Sequence, residues 1–156
     1  AFYHEVKTRK APYIIAEIGA NHNGDMELAR KLIDAAKSCG CDAVKFQSWD
    51  TKSLISKEGY GNNDSYEDAP KKKKQEESLY DMVEKYYLRP EQHFELKKYC
   101  NEVGISFAST PFSREEVDLL NQCDVDFFKI ASMDVNNLDL LSYAAGFKKP
   151  IVLATG

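Results

Sequence analysis

One acid and two lysines interrupt apolar stretches of this 156-residue sequence. Glu17 stands near the end of the apolar run 14–18, and Lys45 and Lys129 each lie between two apolar neighbours. A carboxylate at a buried strand end can act as a general acid or base, its pKa tuned by burial, or can simply hold a loop. Lysine is rarely buried without a partner, so the two lysines can bind a phosphate or carboxylate, pair with an acid such as Glu17, or form a Schiff base.

Hydroxyl groups follow a third apolar stretch, directly before a predicted helix. Thr110 stands beside Ser109, and Ser113 has Glu116 at the spacing of a capping box. Hydroxyls and free backbone N–H groups at the start of a helix can bind an anion, but Ser113 can equally serve as a plain cap.

Histidines give no metal-binding pattern. His22 and Asn23 follow the first apolar run in a turn, where they either contact a substrate or shape the turn itself. His4 and His93 are far away in polar sequence, so no second histidine stands at the spacing of a metal ligand.

Strands alternating with helices must position these residues. Apolar runs bounded by turn residues predict buried strands, and apolar residues at helical spacing predict the helices between them. This alternation is typical of a parallel sheet, and no G-x-G-x-x-G or Walker A motif follows any strand. The predicted strands are 13–18, 43–47, 105–109, 126–131 and 151–154, and the predicted helices are 26–38, 78–86, 90–103, 113–122 and one capped by Asn136 or Asn137.

Polar residues recur at the end of every predicted strand, which is how a (β/α)8 TIM barrel builds its active site. A complete barrel has eight strands and about 250 residues, whereas five strands are predicted here. We therefore expect an α/β fold of this barrel type with about the first five βα units present. Residues 1–156 would be the N-terminal portion of the barrel domain, and the remaining units would lie beyond Gly156.

The composition limits the classes of partner. The formal net charge of −4 argues against nucleic acid, which favours a basic face, and no apolar run is long enough to span a membrane. The four cysteines form no CxxC pair, so we expect reduced thiols and a cytoplasmic protein. The long polar segment 48–77, which holds the lysine run 71–74, predicts a lid over the site.

Five short motifs, in this order and spacing, resemble the sialic acid synthases. They are residues 16–24 (AEIGANHNG), 44–47 (VKFQ), 109–112 (STPF), 128–132 (FKIAS) and 153–156 (LATG). The resemblance implies a (β/α)8 barrel followed by a C-terminal antifreeze-like domain, and a homodimer in the full-length form. It implies condensation of phosphoenolpyruvate with an N-acetylated hexosamine, such as N-acetylmannosamine or a deoxy relative, to give a nine-carbon 2-keto sugar acid and phosphate.

The resemblance also assigns roles to residues and implies a divalent metal, Mn²⁺ or Mg²⁺, that polarises the sugar aldehyde. Glu17 resembles the acid/base near the metal, and Gln47 a contact on the sugar or metal side. The phosphoenolpyruvate-binding residues would be Lys45, Thr110, Lys129 and Ser132, with Phe112 as a pocket wall and Asp134 as a possible sugar contact.

The metal-binding histidines of the family lie on later strands, so we expect residues 1–156 alone to be inactive. Two other classes stay open. One is a different barrel enzyme, such as a Schiff-base aldolase, and the other is a non-catalytic sugar-phosphate binding protein.

Overall fold

A computed structural model describes residues 2–51 and 83–156 of the chain. Within these two stretches, strands and helices alternate as the sequence predicts. The elements are α1 (Phe2–Thr8), β1 (Ile15–Gly19), α2 (Met26–Ser38), β2 (Ala43–Ser48), α3 (Pro90–Val103), β3 (Ser106–Pro111), α4 (Arg114–Gln122), β4 (Phe128–Ile130), a 3-10 helix (Ser132–Asp134), α5 (Leu138–Gly146) and β5 (Ile151–Leu153).

Local sequence signals set the helix boundaries. The N-cap Asp25 accepts hydrogen bonds from two backbone N–H groups of the first turn of α2. Pro90 opens α3, and Gly104 ends it with a left-handed φ of 77°. Both helices therefore have the predicted bounds. Most of the predicted helix 78–86 and most of the predicted lid lie outside the described residues.

All five strands are parallel to their partners. β1, β2 and β3 form one sheet in that order, β4 pairs with β5, and β4 lies beside β3. The register places Lys45 opposite both Glu17 and Ala108, and Gln47 opposite Thr110. Because side chains two residues apart on a strand share a face, this register decides which residues can meet.

The two faces of the strands are buried by different neighbours. On one face, Val44, Phe46 and Phe107 pack with Ile33 of α2 and Leu96 of α3 in the main apolar core. On the opposite, inner face, a smaller apolar cluster fills the N-terminal ends of the strands. Its members are Ala43, Ala108 and Phe127, with Phe2, Tyr13, Ile15 and Val152 packed against them.

Helix α1 is not among the predicted elements, because residues 1–12 are mostly polar and show no clear helical period. Phe2 stacks on the Phe127 ring at 4.2 Å between centroids and meets Tyr13 edge-on at 5.1 Å. Arg9 then pairs with Asp42 at 2.7 Å. Contacts with distant residues hold this helix, so its own sequence could not reveal it.

Replacing Phe2 with Ala should lower the free energy of unfolding by about 2 kcal/mol, because a ring in the inner cluster is lost. Tyr3 is the matched control, since the neighbouring ring is 66% exposed. Urea unfolding should give a lower midpoint for Phe2→Ala and an unchanged one for Tyr3→Ala. Equal midpoints for the two variants would mean that α1 does not close the inner cluster.

The four cysteines are free, in agreement with the expected reduced thiols. Cys100 and Cys123 are buried, and burial raises the pKa of their thiols to about 12 and about 11. These two thiols are therefore packing residues of the core and not nucleophiles.

Candidate active site

Lys45 is the centre of a polar cluster on the inner face, above the small apolar cluster. Its ammonium forms an ion pair with Glu17 Oε2 and lies 3.3 Å from Thr110 Oγ1. Lys45 and Thr110 are 8% and 3% exposed, so the amine has left bulk water and must be satisfied by these partners. Lys45 and Glu17 are therefore paired, which is one of the roles that the sequence left open, and binding of an anion by Lys45 stays a prediction.

Lys129 adds a second ammonium to the same place. Its Nζ donates to the Ile130 carbonyl oxygen at 2.7 Å. Burial and the nearby positive charge of Lys45 lower the pKa of Lys129, and the Glu17 carboxylate partly opposes them. We call Glu17, Lys45, Thr110 and Lys129 the mouth cluster. With both amines protonated, it holds two positive charges against one negative charge.

The Glu17 side chain is 49% exposed, so the strand end does not enclose it. The register of β1 against β2 shifts between Glu17 and Gly19, where φ is 53°. A Cβ at Gly19 would lie 3.0 Å from Glu17 Oε1 and 3.6 Å from Gln47 Nε2. The bulge and the missing side chain therefore leave Oε1 open, beside the Gln47 amide.

The other predicted site residues follow β3 and β4 at the same edge. Ser132 is exposed in the 3-10 helix. Phe112 is half-buried with its ring centroid 6.5 Å from that of Trp49. Asp134 is buried, and its Oδ1 accepts a hydrogen bond from the Asn137 amide at 3.1 Å. No hydrogen bond or ion pair among the described residues joins these three side chains to the mouth cluster, so their roles stay predictions.

Two local alternatives are decided by hydrogen bonds. Ser113 accepts a bond from the backbone N–H of Glu115 and donates to the carboxylate of the same residue, so the start of α4 already holds an anion. The predicted partner Glu116 is instead buried. His22 is also buried, and its Nδ1 accepts from the Gly24 N–H at 3.0 Å. Ser113 is therefore a cap, and His22 shapes its turn.

Comparison with known proteins decides the family. The NeuB family matches residues 32–156, about four fifths of the chain. This chain belongs to the NeuB family.

Relatives whose names state an activity are similar to this chain over most of its length. N,N'-diacetyllegionaminic acid synthase of Campylobacter jejuni is 43% identical over 150 residues, which cover 94% of this chain and 43% of that protein. Human N-acetylneuraminate-9-phosphate synthase is 33% identical over 145 residues, covering 92% and 39%. The chain therefore spans about two fifths of the length of these relatives.

A solved structure confirms the fold. The crystal structure of N-acetylneuraminic acid synthetase from Leptospira borgpetersenii, in complex with citrate, superposes with a TM-score of 0.76 at 28% identity, covering 92% of this chain and 44% of that one. The NeuB chain thus has the predicted TIM-barrel type of α/β fold, with about five βα units in the part described.

The donor set of the described NeuB residues does not suit a metal ion. No three histidine, cysteine, aspartate or glutamate side chains come together in residues 2–51 and 83–156. Glu17 is the single carboxylate of the mouth cluster and is already paired with Lys45. What these residues can do is bind an anion and move a proton at Glu17 Oε1.

Two buried residues of the NeuB chain were missed from the sequence. The sequence predicts polar surroundings for His93, yet this side chain is 1% exposed, and Ser48 is fully buried beside it. The signal was present in α3, because His93 falls three residues before Leu96 and seven before Cys100, on the buried stripe of the helix. Ser48 extends β2 by one residue beyond the predicted strand and bonds to His93 at 2.7 Å.

The lowered pKa of Lys129 predicts a pH effect on stability. Between its folded pKa and the usual value of 10.5, the unfolded chain binds more protons at this site, so the free energy of unfolding rises with pH. Lys129→Met should remove that part of the rise, while Lys98→Met, at a side chain 80% exposed, should keep it. Urea midpoints measured from pH 7 to pH 10.5 check this, and parallel curves for wild type and Lys129→Met would contradict it.

Proposed function

We propose that the protein condenses phosphoenolpyruvate with an N-acetylated hexosamine, N-acetylmannosamine or a deoxy relative, to give a nine-carbon 2-keto sugar acid and phosphate. The observation that carries the proposal is the mouth cluster, in which the buried Lys45 ammonium contacts Glu17 and Thr110 on the inner face and lowers the pKa of Lys129 by its positive charge. The names of the relatives, synthases of legionaminic and neuraminic acids, support the same reaction class.

Phosphoenolpyruvate suits the mouth cluster because it carries a phosphate and a carboxylate close together. Lys45 presents an ammonium that is partly neutralised by Glu17. Lys129 presents an ammonium that donates a hydrogen bond to the neutral Ile130 carbonyl. The Thr110 hydroxyl, 3.3 Å from Lys45, adds a neutral donor. Together they supply charge-assisted hydrogen bonds to both anionic groups, with Ser132 as a further donor at the end of β4.

Glu17 is the residue proposed to move protons. Oε2 is held by Lys45, whereas Oε1 faces the open space left at Gly19. In the proposed reaction, the alkene carbon of phosphoenolpyruvate forms a bond to the aldehyde carbon of the sugar. The aldehyde oxygen then takes up a proton, and water adds to the former enol carbon with loss of a proton. The new hydroxyl gives up its remaining proton as it becomes the ketone, and phosphate leaves with its bridging oxygen and takes up that proton. We assign the relay of one of these protons to Glu17 Oε1.

The divalent metal implied by the resemblance, Mn²⁺ or Mg²⁺, belongs to the proposal as a Lewis acid for the aldehyde. Most of its ligands would come from other residues, because no three histidine, cysteine, aspartate or glutamate side chains come together in residues 2–51 and 83–156. We also propose a homodimer, on the same resemblance, and a cytoplasmic location, because the four cysteines form no CxxC pair. We further propose that Gln47, Phe112 and Asp134 serve the sugar side of the site.

A Schiff-base aldolase is the second candidate, and the lowered pKa of Lys129 is the observation that favours it. A lysine that loses its proton more easily is a better nucleophile toward a carbonyl group. Borohydride treatment in the presence of pyruvate distinguishes the two candidates. A synthase leaves Lys129 unmodified, whereas an aldolase of this kind gains the mass of the reduced adduct at that residue.

The proposal is tested by incubating the full-length protein with phosphoenolpyruvate, Mn²⁺ and a panel of N-acetylated hexosamines. We expect equimolar phosphate and nine-carbon 2-keto acid with at least one sugar of the panel. The 156-residue chain alone should bind phosphoenolpyruvate without turnover, because its described residues hold no metal site. Absence of product from the full-length protein on every sugar would overturn the proposed function.

A further inference from the structure

A hydrogen-bonded chain of buried side chains lies on the helix-facing side of the sheet, behind the mouth cluster. Ser109 Oγ lies 2.6 Å from Ser48 Oγ, which lies 2.7 Å from His93 Nε2. His93 Nδ1 is 2.9 Å from the Arg89 carbonyl oxygen. The three side chains are 0%, 0% and 1% exposed. We call Ser109, Ser48 and His93 the serine–histidine chain.

The direction of every bond in this chain is fixed by the last acceptor. A carbonyl oxygen only accepts, so His93 must carry its proton on Nδ1 and donate it to Arg89. His93 Nε2 is then an acceptor, and the Ser48 hydroxyl donates to it. Ser48 Oγ in turn accepts from Ser109. Burial lowers the pKa of His93, which favours the neutral ring that this order requires.

The serine–histidine chain contacts the mouth cluster through the backbone. Ser109 precedes Thr110 on β3, and Ser48 follows Gln47 on β2. Gln47 and Thr110 are opposite each other in the register, with side chains on the inner face, whereas the serines point to α3. The hydrogen bonds therefore fix the ends of β2 and β3 on the side that faces α3. They act at Ser48 and Ser109, whose chain neighbours Gln47 and Thr110 lie on the inner face.

We propose that Ser48, Ser109 and His93 are positioning residues, which tie the ends of β2 and β3 to α3 and thereby hold Thr110 and Lys45 at the spacing that binds the anion. The consequence for binding rests on the proposed function, but the positioning itself does not. A buried polar chain with every bond satisfied specifies one geometry, whereas apolar packing of the same volume tolerates small slips.

Two variants of His93 separate positioning from simple packing. His93→Gln keeps a side-chain oxygen that can accept from Ser48, and His93→Leu fills the space without an acceptor. In nuclear magnetic resonance spectra of the 156-residue chain, the Thr110 methyl and Lys45 Nζ signals should move in His93→Leu and return toward wild type in His93→Gln. Wild-type positions for both signals in folded His93→Leu would overturn the proposal.

The ring itself provides an independent check that needs no ligand. Nitrogen-15 shifts should show His93 as the Nδ1–H tautomer, with exposed His4 as the control that exchanges between forms. An Nε2–H tautomer for His93 would overturn the proposed order of bonds. If His93→Leu fails to fold, Ser109→Ala replaces it, with the Lys45 Nζ signal as the readout and Ser38→Ala on α2 as the control.

Binding of phosphoenolpyruvate completes the test. Ser109→Ala should weaken it about tenfold, since a displaced anion ligand loses part of its orientation, and Ser38→Ala should leave it unchanged. If the wild-type chain binds no phosphoenolpyruvate, the proposed function fails, and positioning is still decided by the Lys45 and Thr110 signals. Moved signals with unchanged affinity would overturn the link between the serine–histidine chain and binding.

Discussion

Replacing Lys45 with Met is expected to weaken phosphoenolpyruvate binding about 100-fold, the equivalent of about 2.7 kcal/mol. Methionine keeps most of the buried stem but removes the ammonium that joins Glu17 and Thr110. Two effects then act in the same direction. The anion loses a charge-assisted donor, and the Glu17 carboxylate, no longer neutralised, repels it.

The matched control for Lys45 is an exposed ion pair on α3. Lys98 lies 3.9 Å from Glu102, and their side chains are 80% and 59% exposed. Lys98→Met also removes one lysine ammonium, but at a distance from the mouth cluster. This variant should therefore bind phosphoenolpyruvate with wild-type affinity. Isothermal titration with phosphoenolpyruvate measures both variants. Similar affinities for Lys45→Met and Lys98→Met would exclude Lys45 from the binding site.

Glu17→Gln should lower kcat of the full-length protein on the order of 100- to 1,000-fold, the range expected when a positioned acid/base is lost. Glutamine preserves the shape beside Gly19 and Gln47 but can no longer take up a proton at Oε1. Affinity for phosphoenolpyruvate should stay the same or increase slightly, because one negative charge near the anion is gone. A loss in kcat without a loss in affinity distinguishes a proton relay from a binding residue.

The control for this variant is Glu102→Gln, which neutralises the exposed partner of Lys98 and should keep wild-type kcat. Steady-state phosphate release gives kcat and KM for both proteins. If Glu17→Gln raised KM for phosphoenolpyruvate and spared kcat, Glu17 would act by orienting Lys45 and not by moving a proton.

The parallel strands and the mouth cluster could be predicted because their signals are local. An apolar run that ends in one polar residue indicates both a buried strand and the group at its carboxyl end. Parallel pairing then brings those ends together, as it does for Glu17, Lys45 and Thr110. The type of each element and its approximate bounds follow from the same short-range pattern.

The missed features depend on contacts between distant residues. Helix α1 forms because Phe2 stacks on Phe127, which lies 125 positions further along the chain. No local periodicity predicts that contact. His93 was predicted in polar surroundings because Glu91, Gln92 and Glu95 lie near it in sequence. Its neighbours in space are instead Ser48 and the core side of α3. Glu17 is half-exposed because of the bulge before Gly19, which the apolar pattern of the strand does not predict.

The central claim is that Lys45 and Lys129 together bind the anionic groups of phosphoenolpyruvate. Titrating the 156-residue chain, labelled with nitrogen-15 at lysine, with phosphoenolpyruvate tests it most directly, with the two Nζ signals assigned from Lys45→Met and Lys129→Met. Both signals should shift together and saturate with one dissociation constant, while the Lys98 signal stays in place. Saturable binding that leaves the Lys45 and Lys129 signals unmoved would contradict it.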